Sequence, residues 1–273
     1  MTRVITGVVL GVALVLLLIF QGIALRIAMT AVLLIAMYEM VQGFRQKRVH
    51  IVWWVDGLYA LMVIPVYAFM GGMRGVTVLF MLAAMAAMTG VLMGGQPDYE
   101  AMAATLLPLI YPGLLLVTLF GVADFTPPAL ASLGLLMCLI PAFVSDIAAY
   151  EIGSHFGRRK LIPAVSPKKT WEGAIAGLAG GAVAALACYY VARAWYGKAA
   201  MTLPVWHVLV VGLLSALAGQ AGDLAASVIK RHLGLKDYGA IFPGHGGVMD
   251  RIDGALFSMA LVYAYFTWAV GVV

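Results

Sequence analysis

The 273-residue chain is 64% hydrophobic and only 11% charged, with a formal net charge of +5 and a mean hydropathy of +1.01. Soluble globular domains carry about 25% charged residues, so this composition excludes an ordinary soluble domain. The two cysteines, Cys138 and Cys188, lie in apolar runs. They offer neither a disulfide framework nor a metal cage.

Apolar runs of about 20 residues, the length that spans a bilayer core, recur along the whole chain. We read about nine of them, at residues 4–25, 28–44, 51–72, 75–95, 101–123, 128–150, 172–192, 204–226 and 254–273. The first run exceeds the apolar region of a signal peptide and no small-residue cleavage site follows it, which favours a retained helix. The sequence therefore predicts an all-α polytopic integral membrane protein.

The distribution of basic residues predicts the orientation. With nine spans, 13 of the 17 lysines and arginines fall on the same side as the N-terminus. Because basic loops face the cytoplasm, we expect a cytoplasmic N-terminus, an outward C-terminus and a location in the inner, cytoplasmic membrane. A basic cytoplasmic face suits anionic lipid headgroups or nucleotides.

Loop polarity divides the chain into two halves. Residues 1–127 have short loops, which indicates a scaffold of about five helices, whereas residues 128–273 contain two polar cytoplasmic loops, 151–171 and 227–253, which indicates a catalytic region. In the first half, Glu39 and Asp56 are either water-exposed acids at helix ends or functional groups, and both interpretations stay open. In the second half, Gly177, Gly180 and Gly181 predict close helix packing.

The first polar loop ends in Ser-Pro-Lys-Lys-Thr, just before an apolar span. Two ammonium groups and two hydroxyls at a helix N-terminus favour phosphate binding. The alternative is an ordinary basic loop with Thr170 as the helix cap, and the sequence favours neither. The candidate substrate-binding residues of this region are Asp146, Ser166, Lys168, Lys169 and Thr170.

The second polar loop is denser in charge. If the preceding span continues as a helix, four polar residues share one of its faces, namely Asp223, Ser227, Lys230 and Arg231. Asp250 and Asp253 are three apart and would also face together. Asp223 and Asp250 could share a hard cation such as Mg²⁺, or these acids only neutralise neighbouring bases; the whole constellation favours a site. His245, between glycines, is equally a turn residue or a catalytic one.

The second polar loop contains a longer sequence motif. The run S-x-x-K-R-x(4)-K-D-x-G-x(2)-F-P-x-H-G-G-x-x-D-R-x-D, from Ser227 to Asp253, resembles the signature of phosphatidate cytidylyltransferases. The block from Asp146 to Gly173, which ends in S-P-K-K-T-W-E-G, is similar to a second motif of that family. Arg158 stands where a lysine is usual, which keeps the charge but changes the geometry toward phosphate.

The resemblance implies a homodimeric, multi-pass enzyme of phospholipid biosynthesis that transfers CMP from CTP to phosphatidate, giving CDP-diacylglycerol and pyrophosphate. It implies Mg²⁺ as the cofactor, held by Asp223 and Asp250, with a second, monovalent cation left open. The expected partners are CTP, phosphatidate and membrane lipids, and no nucleic acid is expected. The lipid phosphate would attack the α-phosphorus of CTP in line, so no protein nucleophile is needed.

Residue roles follow from the same resemblance and from charge. The expected catalytic residues are Asp223, Lys230, Arg231, Lys236, Asp237, His245, Asp250, Arg251 and Asp253. Beside those of the first loop, the expected substrate-binding residues are Ser227, Gly246 and Gly247.

Two rival functions are rejected. Asp250–Gly254 begins the D-x-x-D-G motif of CDP-alcohol phosphotransferases, but Phe257-Ser258 replaces its Ala-Arg and the further paired acids are missing. A secondary transporter would show internal repeats and charges at mid-membrane depth, whereas here the acids gather at one predicted face. A Walker P-loop and a G-x-S-x-G element are also absent from the sequence.

Overall fold

The structure, a computed structural model, describes residues 22–94, 98–199, 201–241 and 246–271. Its helices are α1 (Ile23–Gln46), α2 (Trp53–Phe69), α3 (Met73–Met93), α4 (Tyr99–Pro108), α5 (Leu115–Ala123), α6 (Pro128–Phe156), α7 (Trp171–Tyr196), α8 (Val205–His232) and α9 (Met249–Tyr265). A π-helical turn, Leu109–Leu114, joins α4 to α5, and a second, Phe266–Val270, continues α9. The expected polytopic helical architecture is confirmed.

Within the described residues, seven helices are long and apolar enough to cross a membrane, and Trp53–Phe69 is a shorter apolar helix. The predicted first span lies almost wholly outside the described residues, so the count of nine stays a prediction. Helix α1 begins at Ile23, inside the range assigned to that first span, and ends at Gln46. The second span is therefore longer than predicted.

One element departs from the all-α prediction. Residues of the first polar loop form a two-stranded antiparallel sheet, β1 (Lys160–Ile162) and β2 (Ser166–Thr170), in which Lys160 pairs with Thr170. The loop then continues directly into α7, whose first amide, Trp171 N, donates to Arg159 O at 3.0 Å. The hairpin fixes the basic residues of this loop relative to the start of α7.

The chain forms two compact units. One comprises residues 1–120 and 232–252, and the other comprises residues 121–231 and 253–273. The predicted division at 127/128 into scaffold and catalytic halves concerns function and stays a prediction. By packing, however, most of the second polar loop groups with the N-terminal helices, because Leu233 and Leu235 lie on α1 beside Gly43, about 3 Å from the position of an added Cβ.

In the unit of residues 121–231 and 253–273, small residues allow α6, α7 and α8 to approach closely. A Cβ on Gly181 would collide with Ala216 and would lie 3.3 Å from Gly212 O. A Cβ on Gly177 would lie 2.6 Å from Gln220 Nε2. The prediction that the glycines of this span serve helix packing is confirmed.

Buried polar side chains join the same helices. Gln220 Nε2 on α8 donates to Ser145 Oγ of α6 and to Ala174 O of α7, both at 3.0 Å. Ser215 Oγ, also on α8, lies 2.5 Å from Ser258 Oγ of α9. Because buried polar groups need partners in an apolar interior, these bonds fix the rotation of each helix. They thereby fix which acidic and basic residues of these helices come together.

Candidate active site

A cluster of acids and lysines forms in the second unit around Gly254, the sixth residue of α9. Asp146 on α6 and Asp223 on α8 flank this glycine: a Cβ at Gly254 would lie 3.4 Å from Asp146 Oδ2 and 3.8 Å from Asp223 Cβ. Lys169 Nζ, from β2, forms an ion pair with Asp223 Oδ2. Residues far apart in the sequence thus meet at one point.

The neighbouring acid of α9 also has a lysine partner. Asp253 Oδ2 lies 3.3 Å from Lys230 Nζ of α8, and Asp253 Oδ1 accepts a hydrogen bond from Gly254 N at 2.8 Å. Asp253 is only 8% exposed. A buried carboxylate must be paired, so this ion pair holds the start of α9 against α8. The helix predicted to carry Asp223, Ser227, Lys230 and Arg231 on one face is confirmed as part of α8.

In the first polar loop, the capping interpretation is confirmed in detail. Thr170 Oγ1 accepts from Gly173 N at 3.2 Å, and its side chain is buried. Glu172 accepts from the backbone amides of Arg158 at 3.1 Å and of Arg159 at 3.2 Å. The hydroxyl of Thr170 is therefore engaged by the helix start, and a role for it toward substrate stays a prediction.

The other substrate-binding candidates of this loop differ in exposure. Lys168 is exposed on β2, whereas Ser166 and Lys169 are half-buried. Burial increases along the end of β2, from the exposed Lys168 through Lys169 to the buried cap residue Thr170. The sequence treated the two lysines as equivalent, but only the hairpin decides that Lys169 faces Asp223.

The remaining predicted residues belong to the unit of residues 1–120 and 232–252. Asp250 Oδ2 accepts from Tyr238 N at 2.8 Å and from Gly247 N at 3.0 Å. Gly246 has a φ of 80°, in the region that favours glycine, and a Cβ there would lie 2.9 Å from Asp250 Oδ2. Asp250 and these glycines therefore form one compact turn.

Three further candidates of that unit, Lys236, Asp237 and Arg251, are exposed. Exposed side chains of this kind are available to a ligand in solution. His245 lies outside the described residues, so its two interpretations stay open.

Glu39 on α1, whose role the sequence left open and which it did not place among the site residues, contacts this turn. Its carboxylate accepts from Val248 N at 3.1 Å and from Met249 N at 2.8 Å. The alternative that Glu39 and Asp56 are water-exposed acids is wrong, because they are 4% and 2% exposed. An ionisable residue within an apolar span was the available signal, but it does not reveal which distant backbone the acid contacts.

Asp56, on α2, has a different setting. Both of its carboxylate oxygens lack a hydrogen-bond partner among the described residues, and the residue borders a mainly apolar cavity of about 470 Å³. The cavity lies between α1 and α2. It contains none of the residues that the sequence assigned to the site.

The chemistry of the charged cluster fits a hard divalent cation. Mg²⁺ prefers carboxylate oxygens and binds through one or two of them, with waters and substrate phosphates as the other ligands. Asp146 and Asp223, which flank Gly254, supply such oxygens. The Lys169 ammonium group forms an ion pair with Asp223. The described residues contain no group of three or more His, Cys, Asp or Glu side chains at metal-binding distances.

The fold and this cluster define a class: a polytopic helical membrane protein whose packed helices bring acids and lysines together. Comparison with known sequences narrows the class. The chain belongs to the Cytidylyltransferase family, whose sequence profile matches residues 1–269.

Individual relatives carry a more specific name. A phosphatidate cytidylyltransferase of Brucella suis biovar 1 (strain 1330) is 44% identical over 121 residues, which cover 44% of this chain and 42% of the relative. A phosphatidate cytidylyltransferase of Staphylococcus aureus (strain COL) is 40% identical over 128 residues, 47% of this chain and 46% of the relative. The matched region thus spans less than half the length of these curated relatives.

Proposed function

We propose that this protein transfers CMP from CTP to phosphatidate, giving CDP-diacylglycerol and pyrophosphate. The observation that carries the proposal is the meeting of Asp146, Lys169 and Asp223 around Gly254, within a cytidylyltransferase family. A site for a metal-bound triphosphate needs carboxylates for the cation and lysines for the phosphates, side by side. The named relatives support phosphatidate as the acceptor.

The reaction needs no protein nucleophile. An oxygen of the lipid phosphate attacks the α-phosphorus of CTP, and the bond from that phosphorus to the pyrophosphate oxygen breaks. The protein's contribution is to position the two phosphates and to offset charge. We assign charge neutralisation to Lys230, Arg231, Lys236 and Arg251, and contact with a lipid or nucleotide phosphate to Lys168 and Lys169.

The motif resemblance supports Asp223 and Asp250 as the residues that would hold Mg²⁺, with help from Asp253. When bound, the cation would neutralise phosphate oxygens and orient the triphosphate. The ion pair between Lys169 and Asp223 implies an exchange: when Asp223 takes the cation, the lysine becomes available to a phosphate oxygen. Whether a second, monovalent cation binds beside Mg²⁺ is left open in this proposal.

We further propose that the enzyme is a homodimer of the inner membrane, with both polar loops facing the cytoplasm, where CTP is found. Acyl chains of phosphatidate would enter from the bilayer, between helices. The asymmetry of basic residues in the sequence supports this orientation.

The test follows the label of CTP carrying ³²P at the α-phosphate into lipid. Purified full-length protein in detergent is mixed with phosphatidate micelles, with and without Mg²⁺. Label in the lipid fraction only when phosphatidate and Mg²⁺ are both present is the expected result. Folded protein that transfers no label under any condition, or that labels a different lipid acceptor instead, would overturn the proposal.

Substitution of Asp223 tests the metal assignment. We expect Asp223→Asn to abolish label transfer while the variant still inserts and folds, because the neutral amide is a poor Mg²⁺ ligand. The matched control is Asp124→Asn, an exposed aspartate of the same unit between α5 and α6, which should retain wild-type activity. Full activity in Asp223→Asn would contradict the assignment.

A further inference from the structure

We propose that Glu39 is a positioning residue for the second polar loop: it holds the turn that presents Asp250. This inference rests on the proposed function for its catalytic consequence. Its structural part, that Glu39 orders residues 246–250, stands on contacts within a single compact unit. Glu39 lies near the cytoplasmic end of α1 in the predicted topology, about 200 residues before the turn that it contacts.

The first observation is that Glu39 caps a helix from outside. The amides of Val248 and Met249, at the start of α9, both donate to its carboxylate. The first amides of a helix have no partner within the helix, and a carboxylate is the acceptor that the helix dipole favours most. In many enzymes such amides bind substrate phosphate; here Glu39 occupies them.

The second observation is steric. A Cβ at Gly239 would lie 2.7 Å from Glu39 Cδ, and a Cβ at Gly247 would lie 2.5 Å from the same atom. Real Cβ atoms do not approach other atoms so closely, so the Glu39 carboxylate fits between two backbone segments that only glycine permits. These two glycines belong to the motif from Ser227 to Asp253. Glu39 and the two glycines of the motif therefore pack directly against each other.

The third observation links this contact to Asp250. Gly247, itself in contact with Glu39, and Tyr238, which precedes the other contact residue Gly239, donate their amides to Asp250 Oδ2. The next two amides, Val248 and Met249, go to Glu39. Three successive amides thus go to two carboxylates: that of Gly247 to Asp250, and those of Val248 and Met249 to Glu39. If Glu39 is lost, two of these three amides lose the carboxylate that accepts from them.

Glu39→Gln is the informative substitution because it keeps the size of the side chain. The amide oxygen still accepts one hydrogen bond, but the NH₂ group faces the second backbone donor. Groups that orient a metal ligand typically affect metal affinity or activity by about 10- to 100-fold. We expect the rate of label transfer to fall within that range and the Mg²⁺ concentration for half-maximal rate to rise by about tenfold or more.

Matched variants separate positioning from general stability. Glu100→Gln makes the same chemical change at an exposed acid of the same unit, which pairs with Lys47 at 2.9 Å on the surface. It should leave the Mg²⁺ response unchanged. Glu39→Asp keeps the charge on a shorter side chain and should restore part of the wild-type Mg²⁺ response.

A second route perturbs the contact and leaves the acid in place. Gly239→Ala inserts a methyl group against the Glu39 carboxylate, so it should reproduce the Mg²⁺ shift even if Glu39→Gln folds poorly. Its control is Gly57→Ala on α2, where an added Cβ meets no atom within 4 Å. That control should behave as wild type.

Hydrogen exchange gives a readout that does not depend on catalysis. On the full-length protein without CTP, lipid or Mg²⁺, peptides covering residues 246–252 should exchange faster in Glu39→Gln and Gly239→Ala than in the two controls. Unchanged exchange there would overturn the anchoring role. Faster exchange and a lower rate, with the half-maximal Mg²⁺ concentration unchanged, would overturn the link to Asp250. An inactive wild type with altered exchange in the variants would instead overturn the proposed function and leave the anchoring intact.

Discussion

Replacing Lys169 with methionine tests whether this lysine is a counter-ion that Mg²⁺ displaces. The side chains of Lys169 and Asp223 are 25% and 29% exposed, so their ion pair is neither fully buried nor on the open surface. Exposed pairs contribute up to about 1 kcal/mol, and breaking a buried pair costs about 3–5 kcal/mol. An intermediate cost of about 1–2 kcal/mol is therefore expected for Lys169→Met.

The two expected effects have opposite signs. Without Mg²⁺, the free energy of unfolding should fall by about 1–2 kcal/mol, because Asp223 loses its counter-ion while Asp146 still lies on the other side of Gly254. With Mg²⁺, the cation no longer competes with an ammonium group for Asp223. The Mg²⁺ concentration that half-saturates the protein should then fall by about 5- to 30-fold, the factor that corresponds to 1–2 kcal/mol.

The assay is thermal unfolding of the purified protein in detergent across a Mg²⁺ titration, with no CTP or lipid present. Lys168→Met is the matched control, because Lys168 is the exposed neighbour on the same strand. Lys169→Met should start at a lower Tm than Lys168→Met and approach it as Mg²⁺ increases. Identical curves for the two variants would refute the reasoning. Label transfer by Lys169→Met should also slow, since the lysine is assigned to a substrate phosphate.

Three further predictions concern packing and hydrogen bonds, each read by thermal unfolding and by the yield of folded protein in detergent. Thr170→Ala removes the N-cap of α7 and should lower the free energy of unfolding by about 1 kcal/mol; an unchanged Tm would contradict the cap. Gly181→Leu forces a side chain into Ala216 and should sharply reduce folded yield; wild-type yield would show that α7 and α8 are not so close. Tyr189→Phe leaves the buried carbonyl of Leu203 without its 3.1 Å donor and should cost about 1 kcal/mol; an unchanged Tm would indicate that another donor replaces the hydroxyl.

The helical architecture was predicted from hydrophobicity alone, and the structure confirms it. An apolar run of about 20 residues must form internal backbone hydrogen bonds in a bilayer, whatever its neighbours are. Helix boundaries were less certain. The start of α1 at Ile23 and the short α2 depend on where neighbouring turns allow the chain to reverse, and hydrophobicity carries no such information.

The first polar loop shows the limit of local reasoning. Its composition gave two interpretations, a phosphate site or a capped helix start, and the cap at Thr170 is now confirmed. The hairpin of β1 and β2 was missed, because strands of three and five residues give too short a pattern. That hairpin decides which of two adjacent lysines meets Asp223.

The sequence by itself determined the class of protein, the charged segments and the candidate acids, because each of these follows from composition and spacing. Tertiary structure decided the pairings. Asp146 and Asp223 meet at Gly254 only because close packing of the helices brings α6, α8 and α9 together, and Glu39 reaches the turn before α9 only because two glycines leave room for its carboxylate. Such contacts join residues up to about 200 positions apart, and no periodicity along a single chain encodes them.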